Sequence, residues 1–310
     1  MMFSPNVRLQ IVFALAGCLV FFAMSRVNAD ESVTDSVQAE PSYLLRYDLK
    51  QGETLKYQVT HVAKTKTRIR GKDELTNVRS LSTKVWTVKD VDASNGQMTF
   101  EHMVQDTELS QQIGDAEELR WDSKSENDPP YQFEAVRATL GKPLATVAIN
   151  GQGQEKERQN HAGTQANLGM GGLTIPLPAT PIKIDDNWAV PRETHVRLPN
   201  GEIKKIQVRE LYTLKKVQTG VATIDVQSQP ITPIDDAKVK SQVVQQLSNG
   251  TIKFDIDAGH VLSKQLDWDE TVVGFEGAES MMEYRARLTE TLLEEQTEVA
   301  ATSIEQLKLR

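Results

Sequence analysis

The stretch DVDASNGQMTFE, Asp90 to Glu101, places side-chain oxygens at Asp90, Asp92 and Ser94 and a glutamate at its twelfth position. A calcium-binding helix–loop–helix spaces its ligands this way, with the last glutamate closing the shell. That loop turns on a glycine at its sixth position, where this chain has Asn95, and both flanks alternate as strands. The segment therefore reads as a β-hairpin with Asn95-Gly96 as its two-residue turn. Asp90, Asp92, Ser94 and Glu101 stay a calcium candidate set, but no metal is expected.

Other reactive patterns are thin. Acyl-transfer serine chemistry needs the nucleophile on a strained elbow or beside a lysine, and neither G-x-S-x-G nor S-x-x-K occurs. His61, His102, His161, His195 and His260 include no pair at metal-ligand spacing on one helix, and H-E-x-x-H is absent. NLGMGG is glycine-rich but lacks the Lys-Ser/Thr ending of a phosphate loop. Carboxylate pairs stand at Asp185-Asp186, Asp235-Asp236 and Asp267-Asp269. General acid–base work would need such a pair to face a cleft with separated pKa values; turn and cap chemistry already accounts for the first two. Trp86, Trp121, Trp188 and Trp268 read as core filling rather than as a sugar platform. No catalytic residue and no cofactor is expected, so the chain reads as a non-enzyme.

The elements that would position any site are mostly strands. Leu45, Tyr47 and Leu49, then Leu55, Tyr57, Val59 and His61, alternate with polar residues. The same period recurs in 81–91, 98–104, 203–217, 221–226 and 282–288. Alternation of this kind marks antiparallel strands with one buried face. Two stretches break it. PPYQFEAVRATLG carries Phe133, Val136 and Leu140, and DDAKVKSQVVQQLSNG carries Val239, Val243, Val244 and Leu247; each has start and stop signals for a short amphipathic helix, near 130–140 and 235–248.

Each helix precedes a strand–turn–strand unit, LATVAINGQGQE and TIKFDIDAGHVLSK. VWTVKDV ahead of MTFE is answered by LYTLKKV ahead of ATID. The order predicts a mainly β protein with a few short helices, its antiparallel sheets built from a duplicated module. Module A spans 43–160 and module B 182–293, with a linker at 161–181, a lead-in at 30–42 and a loose tail at 294–310. Glycines and TIPLP argue against regular structure across 163–181, and Glu155 to Gln165 could form a helical turn or two.

The N-terminus has the layout of a secretory signal: Arg8, a 14-residue apolar run from Ile11 to Met24, then small residues ending at Ala29. The run is short of the roughly 20 residues that span a bilayer as a helix. Cleavage between Ala29 and Asp30 is expected, which releases the protein to the periplasm or the exterior with no transmembrane span. LAGC, ending in Cys18, gives the alternative of a lipid-anchored protein, but the apolar run continues past it to Met24. Cys18 is the one cysteine of the chain, so the released protein would have no disulfide and no thiolate chemistry. The net charge of −8 becomes more negative once Arg8 and Arg26 leave, which excludes nucleic acid as a natural partner.

The segments LRYDLKQGETLKYQVTH, STKVWTVKDVD, LTIPLP, DDNW and FDIDAGHVLSKQLD resemble those of a family of exported proteins best known from planctomycete-type bacteria, a domain family with no assigned function. The resemblance covers about Tyr43 to Leu293 and carries over no catalytic residue. In architecture, curved sheets with helices inside the concave face resemble the half-barrel carriers of lipoproteins across the bacterial envelope. That resemblance implies a ligand held between sheet and helices.

The expected function is therefore non-catalytic binding of an apolar or lipid-like ligand in the cell envelope. Cavity candidates are Leu55, Tyr57, Phe133, Val136, Val239, Val243 and Phe254. The alternative is a structural or adaptor protein of the envelope, partnered by other envelope proteins, with the same residues in a filled core.

Overall fold

The computed structural model describes residues 40–161, 172–198 and 201–294. The signal region with Cys18, Ala29 and Asp30, and most of the tail, lie outside the described residues. Among the described residues twelve strands, antiparallel as the alternation predicts, form one curved sheet that does not close. The strands are β1 (Thr54–Ile69), β2 (Lys72–Asp92), β3 (Gln97–Ile113), β4 (Leu119–Asp122), β5 (Pro143–Ile149), β6 (Glu155–Asn160), β7 (Asn187–Arg197), β8 (Ile203–Gln218), β9 (Val221–Pro230), β10 (Asn249–Asp255), β11 (His260–Val273) and β12 (Met281–Leu292). Their order is β6-β5-β3-β2-β1-β12-β11-β10-β9-β8-β7, with β4 paired to β3.

The period-two pattern explains which face is buried. On β1, Leu55, Tyr57 and Val59 are buried while Lys56 and Gln58 between them are exposed. The join of the first and last strands is long: β1 and β12 pair from Tyr57–Leu292 to Arg68–Met281. Two register shifts, at Thr83/Lys84 and Val88/Asp90, interrupt the β2–β3 ladder. Such bulges sharpen twist and help a sheet curl.

A second device fixes the curl. Residues 43–49 do not join the sheet as their alternation suggests; they form a strap across its buried face, with Leu45, Tyr47 and Leu49 in the main core. The Tyr47 N–H donates to Gly151 O in the β5–β6 turn, and the next N–H, of Asp48, donates to Gly259 O in the β10–β11 turn. In a flat sheet β5 and β10 would stand six strand spacings apart, roughly 29 Å. Adjacent residues of one strap reach both turns, so the sheet is rolled up at that end. Gly153 and Gly259 permit the contact: both have positive φ, and a Cβ would fall 2.4 Å from Ile175 O at Gly153 and 2.4 Å from Asp48 N at Gly259.

The linker packs alongside the strap. Ile175, Leu177 and Ile182 are buried in the main core, Tyr43 and Ile182 exchange reciprocal backbone bonds of 2.7 and 3.0 Å, and the Arg46 guanidinium donates to the carbonyls of Pro178 and Ala179. The main core thus gathers strap, linker and residues from β1–β3, β5 and β8–β12.

The helices fall near their expected places but are shorter. The first is a 3-10 turn, Tyr131–Phe133, running into α1 (Glu134–Arg137); the second is α2 (Ala237–Val243), followed by a 3-10 turn, Val244–Gln246. Asp236 caps α2 by accepting from Lys238 N (2.7 Å) and Val239 N (3.3 Å).

Two local expectations are corrected. Residues 155–160 are the edge strand β6, paired with β5, not a helical turn; hydrogen bonding to a neighbouring strand outweighs the helical preference of EKERQN. The β2–β3 hairpin closes through four residues, 93–96, and Gly96 has positive φ while Asn95 does not, so the two-residue turn is not formed. Asp92 takes over the turn by accepting from Ser94 N (2.8 Å) and Ser94 Oγ (2.6 Å).

Candidate functional site: a buried polar cluster on the inner face

The cavity candidates separate into three places. Leu55, Tyr57 and Phe254 lie in the main packed core, beneath the strap; the Tyr47 and Phe254 rings meet edge-on at 5.5 Å. Val239 and Val243, on α2, pack with Val196, Ile206 and Val208 of β7 and β8. Phe133 is buried outside both clusters and Val136 is half-buried. The strap, whose alternation reads as a sheet strand, and the linker, which has no periodicity, fill the space against the first three.

A third cluster lies further along the same face. Ala63 of β1, Val272 of β11, and Tyr284 and Ala286 of β12 are covered by Val244 of the 3-10 turn after α2. Trp268 Nε1 donates to Gln245 O at 3.0 Å and Arg192 donates to Gln246 O at 3.0 Å, tethering that turn to the sheet.

The calcium candidates do not converge. Asp92 is engaged in its turn, Glu101 forms an ion pair with Lys89 (2.7 Å), and among the described residues no three His, Cys, Asp or Glu side chains are grouped for a metal. The carboxylate pairs are engaged too. Asp185 meets Lys215 at 2.7 Å, Asp267 meets Arg287 at 2.6 Å, Asp269 meets Arg285 at 3.1 Å, and Asp236 caps α2.

What the sequence reading missed is ionic and buried. Lys84 on β2, Glu290 on β12 and Lys264 on β11 meet on the inner face, each side chain at most 6 % exposed. Lys84 Nζ donates to Glu290 Oε1, and Lys264 Nζ stands 3.0 Å from Glu290 Oε2. Lys264 Nζ also donates to Gly172 O of the linker, at 3.2 Å. The Lys84 ammonium sits over two rings, 4.6 Å from the centroid of Tyr57 and 4.8 Å from that of Trp86. Trp86 in turn stacks on Phe100 at 4.4 Å. Alongside, Ser82 and Thr107 share a buried hydrogen bond of 2.7 Å.

The signal for this cluster is present in the strand phase. Lys84 alternates with Ser82, Trp86 and Val88, and Glu290 with Leu288, Ala286 and Tyr284, so each charge occupies an inward position. Charges at inward positions are rarely buried without a partner, but alternation within one strand does not say which partner it meets.

The electrostatics follow from burial. Burial brings the Lys84 amine down to about 8, with Glu290 holding it up and Lys264 pressing it lower. Burial also favours a neutral Glu290, but Lys264 and Lys84 outweigh it and hold the carboxyl below its ordinary value. Burial, then the charges of Lys84 and Arg158, bring the His102 imidazole down to about 4, so it is neutral at ordinary pH. Burial and the nearby Glu290 push the Tyr57 hydroxyl well above its ordinary value. Among the described residues, the Tyr57 hydroxyl and the Trp86 indole N–H are buried without a hydrogen-bond partner.

No family model and no curated protein matches the chain. Among solved structures, a lipovitellin structure described by its lipid–protein interactions aligns at 10 % identity and TM-score 0.46, over 80 % of this chain and 26 % of that one. The chain thus spans about a quarter of lipovitellin's length. Complexes of MucB with MucA align at 8 % identity and TM-score 0.11, over 77 % of this chain and 89 % of that one, and, for the pair from Pseudomonas aeruginosa, at 9 % and 0.10, over 78 % and 89 %. At these TM-scores none of them fixes this chain's function.

Proposed function

We propose that the chain is an exported, non-catalytic envelope protein that holds an apolar or lipid-like ligand on the inner face of its open sheet. The observation that carries the reading is the cover over the third cluster. Ala63, Val272, Tyr284 and Ala286 form an apolar patch on the sheet, and the turn after a seven-residue helix lies over it. A helix this short has little stability of its own. Displacing it would uncover an apolar surface continuous with the sheet. Asp92, Glu101, Asp185, Asp236, Asp267 and Asp269 are each held in a cap, turn or ion pair.

The filled core under the strap favours a second reading, an envelope scaffold or adaptor without ligand, because Leu55, Tyr57 and Phe254 are packed against protein. Native mass spectrometry of the protein from its own envelope fraction separates the two. A reproducible adduct of lipid mass supports the ligand reading; a bare protein mass with no extractable ligand overturns it in favour of the adaptor. The denatured mass checks export: a chain beginning at Asp30 is expected, and an acylated chain beginning at Cys18 would make it a lipoprotein. The element orders are alike, four strands with the fourth a short one, a short helix and two strands in 54–160, and three strands, a short helix and two strands in 187–273, which supports tandem duplication as the origin of the scaffold.

A further inference from the structure

We infer that the Lys84–Glu290–Lys264 cluster is a binding site for one carboxylate or phosphate-type monoanion. Two buried ammonium groups share a single carboxylate, which leaves one positive charge without a charged partner among the described residues. Uncompensated buried charge is costly, and an arriving group of opposite sign would relieve that cost. Two further donors belong to the rings beneath Lys84. The Tyr57 hydroxyl and Trp86 N–H are both buried and unpartnered, and Lys84 Nζ lies over both of their rings. Two ammonium groups, a phenol and an indole can all donate to an anion's oxygens, and none is needed to accept from it. The neutral His102 imidazole on β3, register partner of Trp86, adds no competing charge.

The anion could be free in solution or could be the head of an acidic amphiphile whose chain lies on the sheet. The second case rests on the proposed function above; the first does not. In either case Lys264 supplies the surplus charge, because its removal leaves a neutral Lys84–Glu290 pair.

The test uses the purified full chain and the variant Lys264→Met, with binding read by calorimetry and by Trp86-sensitive fluorescence. The probes are acetate, inorganic phosphate, dodecanoate and the neutral dodecyl maltoside. The expected result is that dodecanoate binds the unaltered chain about tenfold or more tighter than it binds Lys264→Met, while dodecyl maltoside binds both equally. If acetate or phosphate binds with the same dependence on Lys264 and neither amphiphile binds, the anion site stands and the lipid reading falls. If both amphiphiles bind and neither distinguishes the variant, the lipid reading stands and the anion site is overturned. If no anionic probe depends on Lys264, the lysines are a structural clamp and the inference is wrong. Lys264→Met should remain folded, because it removes the unpaired charge; if it does not fold, Lys264→Gln provides the same comparison.

Discussion

Lys84 and Glu290 stand 206 residues apart in the chain and form a buried ion pair on the inner face, with β1 between their strands. The pair couples the second strand of the sequence to the last. Removing only one partner leaves buried charge unpaired, typically about 3–5 kcal/mol of lost stability. Glu290→Leu strands two ammonium groups and should be the most damaging single change in the cluster. Lys264→Met should be neutral or stabilising. Urea unfolding of the two variants checks the contrast, and equal losses would refute it.

Stability should rise with pH between about 8 and 10 because of Lys84. Its amine, brought down to about 8 by burial, is depressed below the unfolded value, so in this window the unfolded chain binds the extra proton and alkali favours the fold. The increment is on the order of 3 kcal/mol, and Lys84→Met should abolish it. Above about pH 10 the trend should reverse, since Tyr47, Tyr57, Tyr212 and Tyr284 are all pushed up by burial and stay protonated only in the folded chain. On the acid side, Glu290 is held down by Lys264 and Lys84 against its burial, so its contribution is lost as pH falls through the carboxylate range. Chemical denaturation at a series of pH values reads all three limbs.

Glycines with the same φ should differ in their tolerance of a methyl group. Gly96 has φ +69° and nothing within 4 Å of an added Cβ, so Gly96→Ala should cost about 1 kcal/mol, from backbone strain alone. Gly259 has the same φ, but its Cβ would meet the Asp48 backbone, and at Gly153 it would also meet the Tyr47 ring at 2.5 Å. Gly153→Ala and Gly259→Ala should each cost a further ~1–3 kcal/mol by pushing the strap off the rolled end. Thermal melts of the three variants rank them, and a Gly96→Ala melt as low as the other two would contradict the strap's role.

The cover over the third cluster should loosen before the sheet does. Asp236→Ala removes the α2 cap and should cost about 1 kcal/mol. Hydrogen exchange should quicken in 237–246 while β1 and β12 keep their protection. Uniform loss of protection would instead show that helix and sheet open as one unit.

Much of the fold was legible in the alternation. The register of Leu55, Tyr57 and Val59 against exposed Lys56 and Gln58 is a local property, since successive side chains on a strand face opposite sides. The helix positions were legible for a similar reason: Asp236 signals a start and Val239 and Val243 the buried stripe. Residues 43–49 mislead because a strap across an apolar face also buries every second side chain, yet its backbone bonds go to turns rather than to a ladder.

The sequence by itself determined that the chain makes antiparallel strands, which face of each is apolar, where two short helices interrupt, and that no familiar catalytic motif is present. Strand pairing and side-chain direction are set by short-range geometry, so a single stretch of residues is enough to reveal them. The tertiary structure alone decided that β12 pairs with β1 in the middle of the sheet, that Tyr47 and Asp48 draw two distant turns together, and that Lys84, Lys264 and Glu290 share one buried point. Those relations depend on how far the whole sheet curls. The curl sums twist, bulges and strap contacts over eleven pairings, and no local pattern encodes that sum.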